Sequence, residues 1–167
     1  MDNQKWLGTA KILRRNILMK LTYNKFPENF HKCVSICDSQ IDRIVCTKNT
    51  VKFVFSNGFF KMEDGQLIPT KTGHLELSNC NADEFSCYII KRKATKCGTK
   101  LSGSYISLDK LGNLLLKRAK KIEIFLELYD FNSLYWRGVL LPYKKYGLSD
   151  YVVIETNGYF QATYFWE

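Results

Sequence analysis

Three turn dipeptides set between runs of alternating hydrophobicity narrow the fold more than anything else in this chain. Asn57-Gly58, Asp64-Gly65 and Asn157-Gly158 each interrupt a stretch in which every second residue is apolar. Asn-Gly and Asp-Gly tolerate the positive φ angles of two-residue hairpin turns, and period-two patterning marks a half-buried strand. Ile44 and Cys46, then Val51, Phe53 and Phe55, alternate with polar neighbours. This predicts strands over 42–47, 50–56, 59–62 and 66–69, with Lys48–Asn49 as a further turn and Pro69 at a strand end. Leu75 and Leu77 begin another strand, and 86–93 reads as a longer one. Towards the end, Ile122, Ile124, Leu126 and Leu128 alternate with Glu123, Phe125, Glu127 and Tyr129, and Leu134 to Leu141 stops at Pro142. Residues 151–155 and 160–166 flank Asn157-Gly158 and read as a closing hairpin. The alternation there is apolar on both faces, which implies central strands with a cover.

Two segments switch to helical spacing. In 3–23, Trp6, Ala10, Leu13, Ile17 and Leu21 form one apolar stripe, with Asn3 as N-cap and Lys11, Arg14, Arg15 and Lys20 off the stripe. In 107–121, Leu108, Leu111, Leu115 and Ile122 fit a second stripe capped by Ser107. Gly112-Asn113 opposes that helix, because both residues are poor helix formers, and offers instead a hairpin between Tyr105–Lys110 and Leu114–Ala119. The expected fold is α+β, in one domain over 1–167: a mainly antiparallel twisted sheet of about seven or more strands, an N-terminal amphipathic helix packed on it, and a second, basic helix.

Charge is concentrated in one place. Between Lys91 and Lys121 lie Lys91, Arg92, Lys93, Lys96, Lys100, Lys110, Lys117, Arg118, Lys120 and Lys121. These ten cations stand against Asp109 alone, a net of +9 that equals the net charge of the whole chain. Any electrostatic attraction to a partner therefore starts from this stretch. Arg14 and Arg15 make a second basic patch. A third motif, Tyr143-Lys144-Lys145-Tyr146 after Pro142, interleaves rings with cations as single-strand binders do.

Catalytic signatures are weak. Gly98 to Gly103 resembles a phosphate loop in its glycine spacing, but Ser104 and Tyr105 stand where the lysine and hydroxyl of such a loop are required. Six cysteines offer one loose pair, Cys33 and Cys37, and no second pair at zinc spacing, so free core thiols are expected, with no metal and no cofactor. The two histidines, His31 and His74, are the basis for an acid–base nuclease reading, with Lys32 or Lys71 beside them. Glu123 and Glu127 share a strand face about 13 Å apart, too far for paired carboxylate chemistry. The aromatic motifs of the RNA-recognition fold and the Gly-x-x-Gly loop of KH domains are missing.

No apolar run reaches the length of a membrane span, and the apolar segment after Arg15 is too short for a signal peptide, so an intracellular, soluble protein is expected. Three functions follow in order. The first is a non-enzymatic binding module contacting RNA or DNA through its lysines and arginines. The second is an inhibitor or immunity-type factor, viral or mobile-element encoded, docking on an acidic protein. The third is a small nuclease using His31 or His74.

Overall fold

Tyrosine, phenylalanine and the β-branched residues of this chain fit a pleated surface better than a helix, and 63% of the described residues are strand. A computed structural model describes residues 19–23, 33–130, 132–143 and 149–167. In chain order the strands are β1 (Met19–Tyr23), β2 (Val34–Ser35), β3 (Gln40–Ile41), β4 (Arg43–Cys46), β5 (Thr50–Phe55), β6 (Phe60–Glu63), β7 (Gln66–Pro69) and β8 (Gly73–Ser78). They continue with β9 (Phe85–Thr95), β10 (Gly98–Ile106), β11 (Lys121–Asp130), β12 (Ser133–Leu141), β13 (Tyr151–Asn157) and β14 (Gln161–Trp166). A helix, α1 (Leu108–Arg118), joins β10 to β11, and a short 3-10 turn covers Ala82–Glu84.

The strands form three antiparallel sheets. A five-stranded sheet has the order β1-β14-β8-β5-β4, a six-stranded sheet the order β10-β9-β13-β12-β11-β3, and a three-stranded sheet the order β2-β6-β7. The first two face each other. Phe53 of β5 meets Trp136 of β12 edge-on at 4.9 Å and Phe85 of β9 at 5.9 Å. Inward residues of both sheets, among them Leu75, Leu77, Ile122, Ile124, Val152 and Ile154, are fully or almost fully buried and belong to the same core. The three-stranded sheet joins that core where Phe59 packs edge-on against Phe55, Tyr164 and Trp166.

The α+β expectation is corrected by this architecture. The described residues are mostly strand, with α1 their single α-helix. Residues 19–23, placed by spacing in an N-terminal helix, are strand β1 and pair with β14; the rest of that helix, including its stripe from Trp6 to Ile17, lies outside the described residues. Leu21 continues the helical stripe four residues after Ile17, but Met19, Leu21 and Tyr23 alternate at period two, and pairing along β14 takes them as a strand. In 107–121 the helix forms and the hairpin does not. Ser107 caps it by accepting the Lys110 N–H, and Leu108, Leu111 and Leu115 are buried under it.

The turn dipeptides divide in an instructive way. Asp64-Gly65 closes the β6–β7 hairpin with both residues at positive φ, 50° and 78°. Asn57-Gly58 and Asn157-Gly158 do not close hairpins: β5 and β13 belong to different sheets from the strands that follow them. The expected closing hairpin of β13 and β14 is thus replaced by a crossing between the two large sheets. A turn signal specifies a reversal of the chain but not which sheet receives the next strand.

Gly112 explains its own presence in α1. The helix packs against β4, and a Cβ on Gly112 would stand 3.0 Å from the Ile44 carbonyl oxygen. Glycine is there to permit that approach, and its helix-propensity penalty of about 1 kcal/mol is accepted for it. Gly112→Val is expected to destabilise the protein by about 1–3 kcal/mol through overpacking, whereas exposed Asn113→Ala stays within about 0.5 kcal/mol of wild type; denaturant midpoints of the two variants check this.

Burial also sets an alkaline limit on stability. It raises the thiols of Cys46 and Cys87 from 9.0 to about 12 and that of Cys80 to about 11, with Asp109 adding to the shift at Cys46. The unfolded chain therefore loses these protons first. The stabilisation is complete below pH 9 and declines as pH rises towards 12. Urea unfolding followed upward from neutral pH should show the midpoint falling once pH 9 is passed.

Candidate nucleic-acid interface

The basic stretch divides in space. β13 pairs with β9 only as far as Tyr151 opposite Ile90, while β10 continues to pair with β9 out to Gly98 opposite Thr95. Residues 91–102 therefore leave the sheet as a two-stranded arm projecting about 17 Å past the end of β13, at about 3.3 Å per residue. Thr95 donates its hydroxyl to the Gly98 carbonyl at 2.9 Å and closes the tip. Where β13 ends, Asp150 takes over as partner: its Oδ1 accepts the Arg92 main-chain N–H at 3.2 Å.

This arm carries Lys91, Arg92, Lys93, Lys96 and Lys100 and no acid. Strand alternation sorts them. Lys91 and Lys93 continue the side that holds buried Cys87 and Ile89, and Lys100 lies directly opposite Lys93. Lys96 sits in the tip. Among the described residues none of these four lysines forms an ion pair. Arg92 points to the other side of the ribbon, where its guanidinium lies 5.1 Å from the Tyr151 ring centre and donates to the Tyr151 hydroxyl at 2.9 Å. That arginine is held by its own sheet.

The remaining cations occupy different elements. Lys110, Lys117 and Arg118 are exposed on α1, with the last two in its final turn, where they face the helix's negative end. Lys120 and Lys121 are half-buried at the start of β11. From Ile106 at the root, the arm runs about 13 Å of strand to the level of Lys91 and about 26 Å to its tip, so Lys93, Lys96 and Lys100 project away from the helix cations. Of the third motif, Tyr143 is described: its hydroxyl donates to Glu123, which raises the tyrosine's pKa. Lys144, Lys145 and Tyr146, like Arg14 and Arg15, lie outside the described residues.

Several other expectations are altered by particular residues. Gly98 to Gly103 is extended strand within β10 and forms no loop. Glu123 and Glu127 do not share a face. A bulge between Ile124 and Leu126 adds a residue, so Glu123 pairs opposite Val139 on the outer side and Glu127 opposite Trp136 on the inner side. There Glu127 accepts from the Ser35 hydroxyl, the Ile36 N–H at 3.0 Å and the Tyr129 hydroxyl at 2.8 Å.

His74 stacks on Phe165 at 4.5 Å, and burial together with nearby Lys52 lowers its pKa, while the neighbouring Glu76 is paired with Lys52 at 3.2 Å. The stack gives this imidazole a packing role; His31 lies outside the described residues. All six cysteines carry free thiols. One open cleft of about 570 Å³ lies between the β4–β5 turn and the start of α1, lined by Asp83, Asp109, Asn49, Asn81 and Cys46. Its thiol, with a pKa pushed up to about 12, stays protonated and is no nucleophile at neutral pH.

Sequence reading missed the state of the outer side of the six-stranded sheet. Leu101, Tyr105, Phe125 and Leu128 lie there at 61, 81, 45 and 55% exposure. Apolar patterning on both faces is the available signal, and the expected N-terminal helix accounts for it as a cover. No helix of the described residues is long and apolar enough to cross a membrane. A scan against protein-family models, a search of curated proteins and a search of solved structures each find no match.

The arm can be reached chemically through its tip. Cys97 is exposed there, whereas burial raises the thiols of Cys37, Cys46, Cys80 and Cys87. A limiting amount of maleimide reagent on native protein at neutral pH is expected to label Cys97 first, as mapped by peptide mass analysis; faster labelling of Cys46 or Cys87 would contradict the placement of the core.

Proposed function

We propose that this protein is a non-enzymatic nucleic-acid-binding module that lays the lysine side of its arm along a phosphate backbone. The observation that carries this is Lys93 opposite Lys100 on a ribbon with no acid of its own. Like charges directly across a strand pair destabilise it, and an isolated two-stranded ribbon is only marginally stable. A polyanion laid on that side removes the repulsion and releases its own counterions. Spacing also favours nucleic acid over an acidic protein. Lys91 and Lys93 are about 6.6 Å apart along the strand, close to twice the roughly 3.4 Å axial interval of phosphates on one strand. A two-stranded ribbon also fits a major groove about 12 Å wide.

Fluorescence anisotropy with a labelled duplex and a labelled single strand, across a salt series, tests the reading. Four phosphate contacts would give a log–log salt slope of about −3.6 on a duplex. Substituting Lys91, Lys93, Lys96 and Lys100 by alanine should leave the circular dichroism unchanged and remove most of the slope. Alanine at Lys117, Arg118 and Lys120 should retain most of the slope. An arm variant that binds like wild type, or a wild-type protein with no measurable affinity at about 50 mM salt, where such contacts are strongest, would remove the proposal.

A further inference from the structure

The arm's lysine side is one side of a ribbon; its reverse carries Arg92 with Leu101 and is continuous with a sheet face on which Leu101, Tyr105, Phe125 and Leu128 are exposed. On β10, Leu101 and Tyr105 lie on that reverse side, opposite Arg92 and Tyr88. The same face runs across β13, β12 and β11 through Val139, Tyr135 and Leu128, with Phe125 thrown outward at the bulge. The outer face of the five-stranded sheet is different in kind. It carries the Lys52–Glu76 ion pair, the Thr22–Thr163 hydroxyl pair and the His74–Phe165 stack, as a solvent-facing sheet does.

We infer that the outer face of the six-stranded sheet is where two copies of this chain associate. Its five long strands span about 24 Å by about 20 Å, and with the arm's reverse side it offers roughly 650 Å² in projection. That area, charged groups included, approaches the about 800 Å² of accessible surface that each partner buries in a standard interface.

Charge identifies the occupant. The ionisable groups on this face are Arg92, Arg137 and Lys121 against Glu123, Asp130 and Glu155, placed there by register. The face is neutral on a chain whose net charge is +9. A polyanion has no reason to choose it, since phosphate binding needs a surplus of cations. A twofold interface sets a patch against itself, so a patch holding both signs brings each charge its counterpart from the other copy. The lysine sides of both arms remain turned outward in this arrangement.

Sedimentation equilibrium on the full chain from about 1 to 100 μM, the range in which micromolar association is read, tests the inference. A mass of twice 19.5 kDa is expected at the upper end. Phe125→Glu and Leu128→Glu, made separately at exposed positions, should each weaken the dimer about 30-fold or more, while Leu67→Glu, equally exposed on β7, should leave it intact. A protein monomeric throughout overturns the inference. So does a dimer that tolerates both face substitutions, which would place the contact elsewhere. A monomer that associates only after residues 1–18 are removed would assign the face to this chain's own N-terminal segment. Loss of the dimer with nucleic-acid binding intact, or the reverse, separates this inference from the proposed function.

Discussion

Everything in this molecule rests on the contact between Phe53 and Trp136, where the two large sheets meet edge-to-face at 4.9 Å with both rings fully buried. Rings of this size dominate a core, and removing either would leave a void that costs about 3–5 kcal/mol. Trp136 contributes by ring packing alone, since its Nε1 finds no acceptor among the described residues. The sheets are also tied by the chain itself. It passes from β3 to β4 at Asp42, whose N–H donates to the Val54 carbonyl and whose carboxylate accepts from Ser56. It crosses again after β13, where the Gly158 N–H donates to Asn132. Sliding of one sheet over the other is opposed at each of these points.

The bulge in β11 decides the chemistry of both sides of the six-stranded sheet. One inserted residue turns Glu127 inward, where it joins the Tyr129 and Tyr164 hydroxyls, both held protonated by burial. The same residue leaves Glu123 outside to hold Gln40 and Tyr143 and throws Phe125 into solvent. Two carboxylates that look like a pair on paper are structural acceptors in different environments.

Strand positions were legible because period two is local. The segments read as 50–56 and 66–69 emerge as Thr50–Phe55 and Gln66–Pro69. What the pattern omits is partnership. Nothing in Asn57-Gly58 distinguishes a hairpin from a passage to another sheet, and nothing in Gly112 reveals that Ile44, far away in sequence, lies against it. The basic stretch was legible as charge but not as shape. Lysine reads alike on a helix and on a ribbon, so its division into an arm and a helix end depends on where β13 stops. Met19 to Tyr23 continues the helical stripe only through Leu21, while its own alternation is that of a strand, and five residues at the end of a longer stripe do not show the change of period.

Tyr88 and Gly103 lie at the arm's root, with the tyrosine ring occupying the space where a Cβ on residue 103 would be, 1.9 Å from the phenol oxygen. Together with the neighbouring Tyr105 ring at 4.9 Å, this wedge fixes which residue of β10 faces which residue of β9. The pairing period of a strand is two, so a slip of one residue would carry Lys100 from the lysine side to the reverse side. The polarity of the whole ribbon is thus written at a fulcrum that bears no charge, and the aromatic ring there acts as the key that indexes one strand against the other.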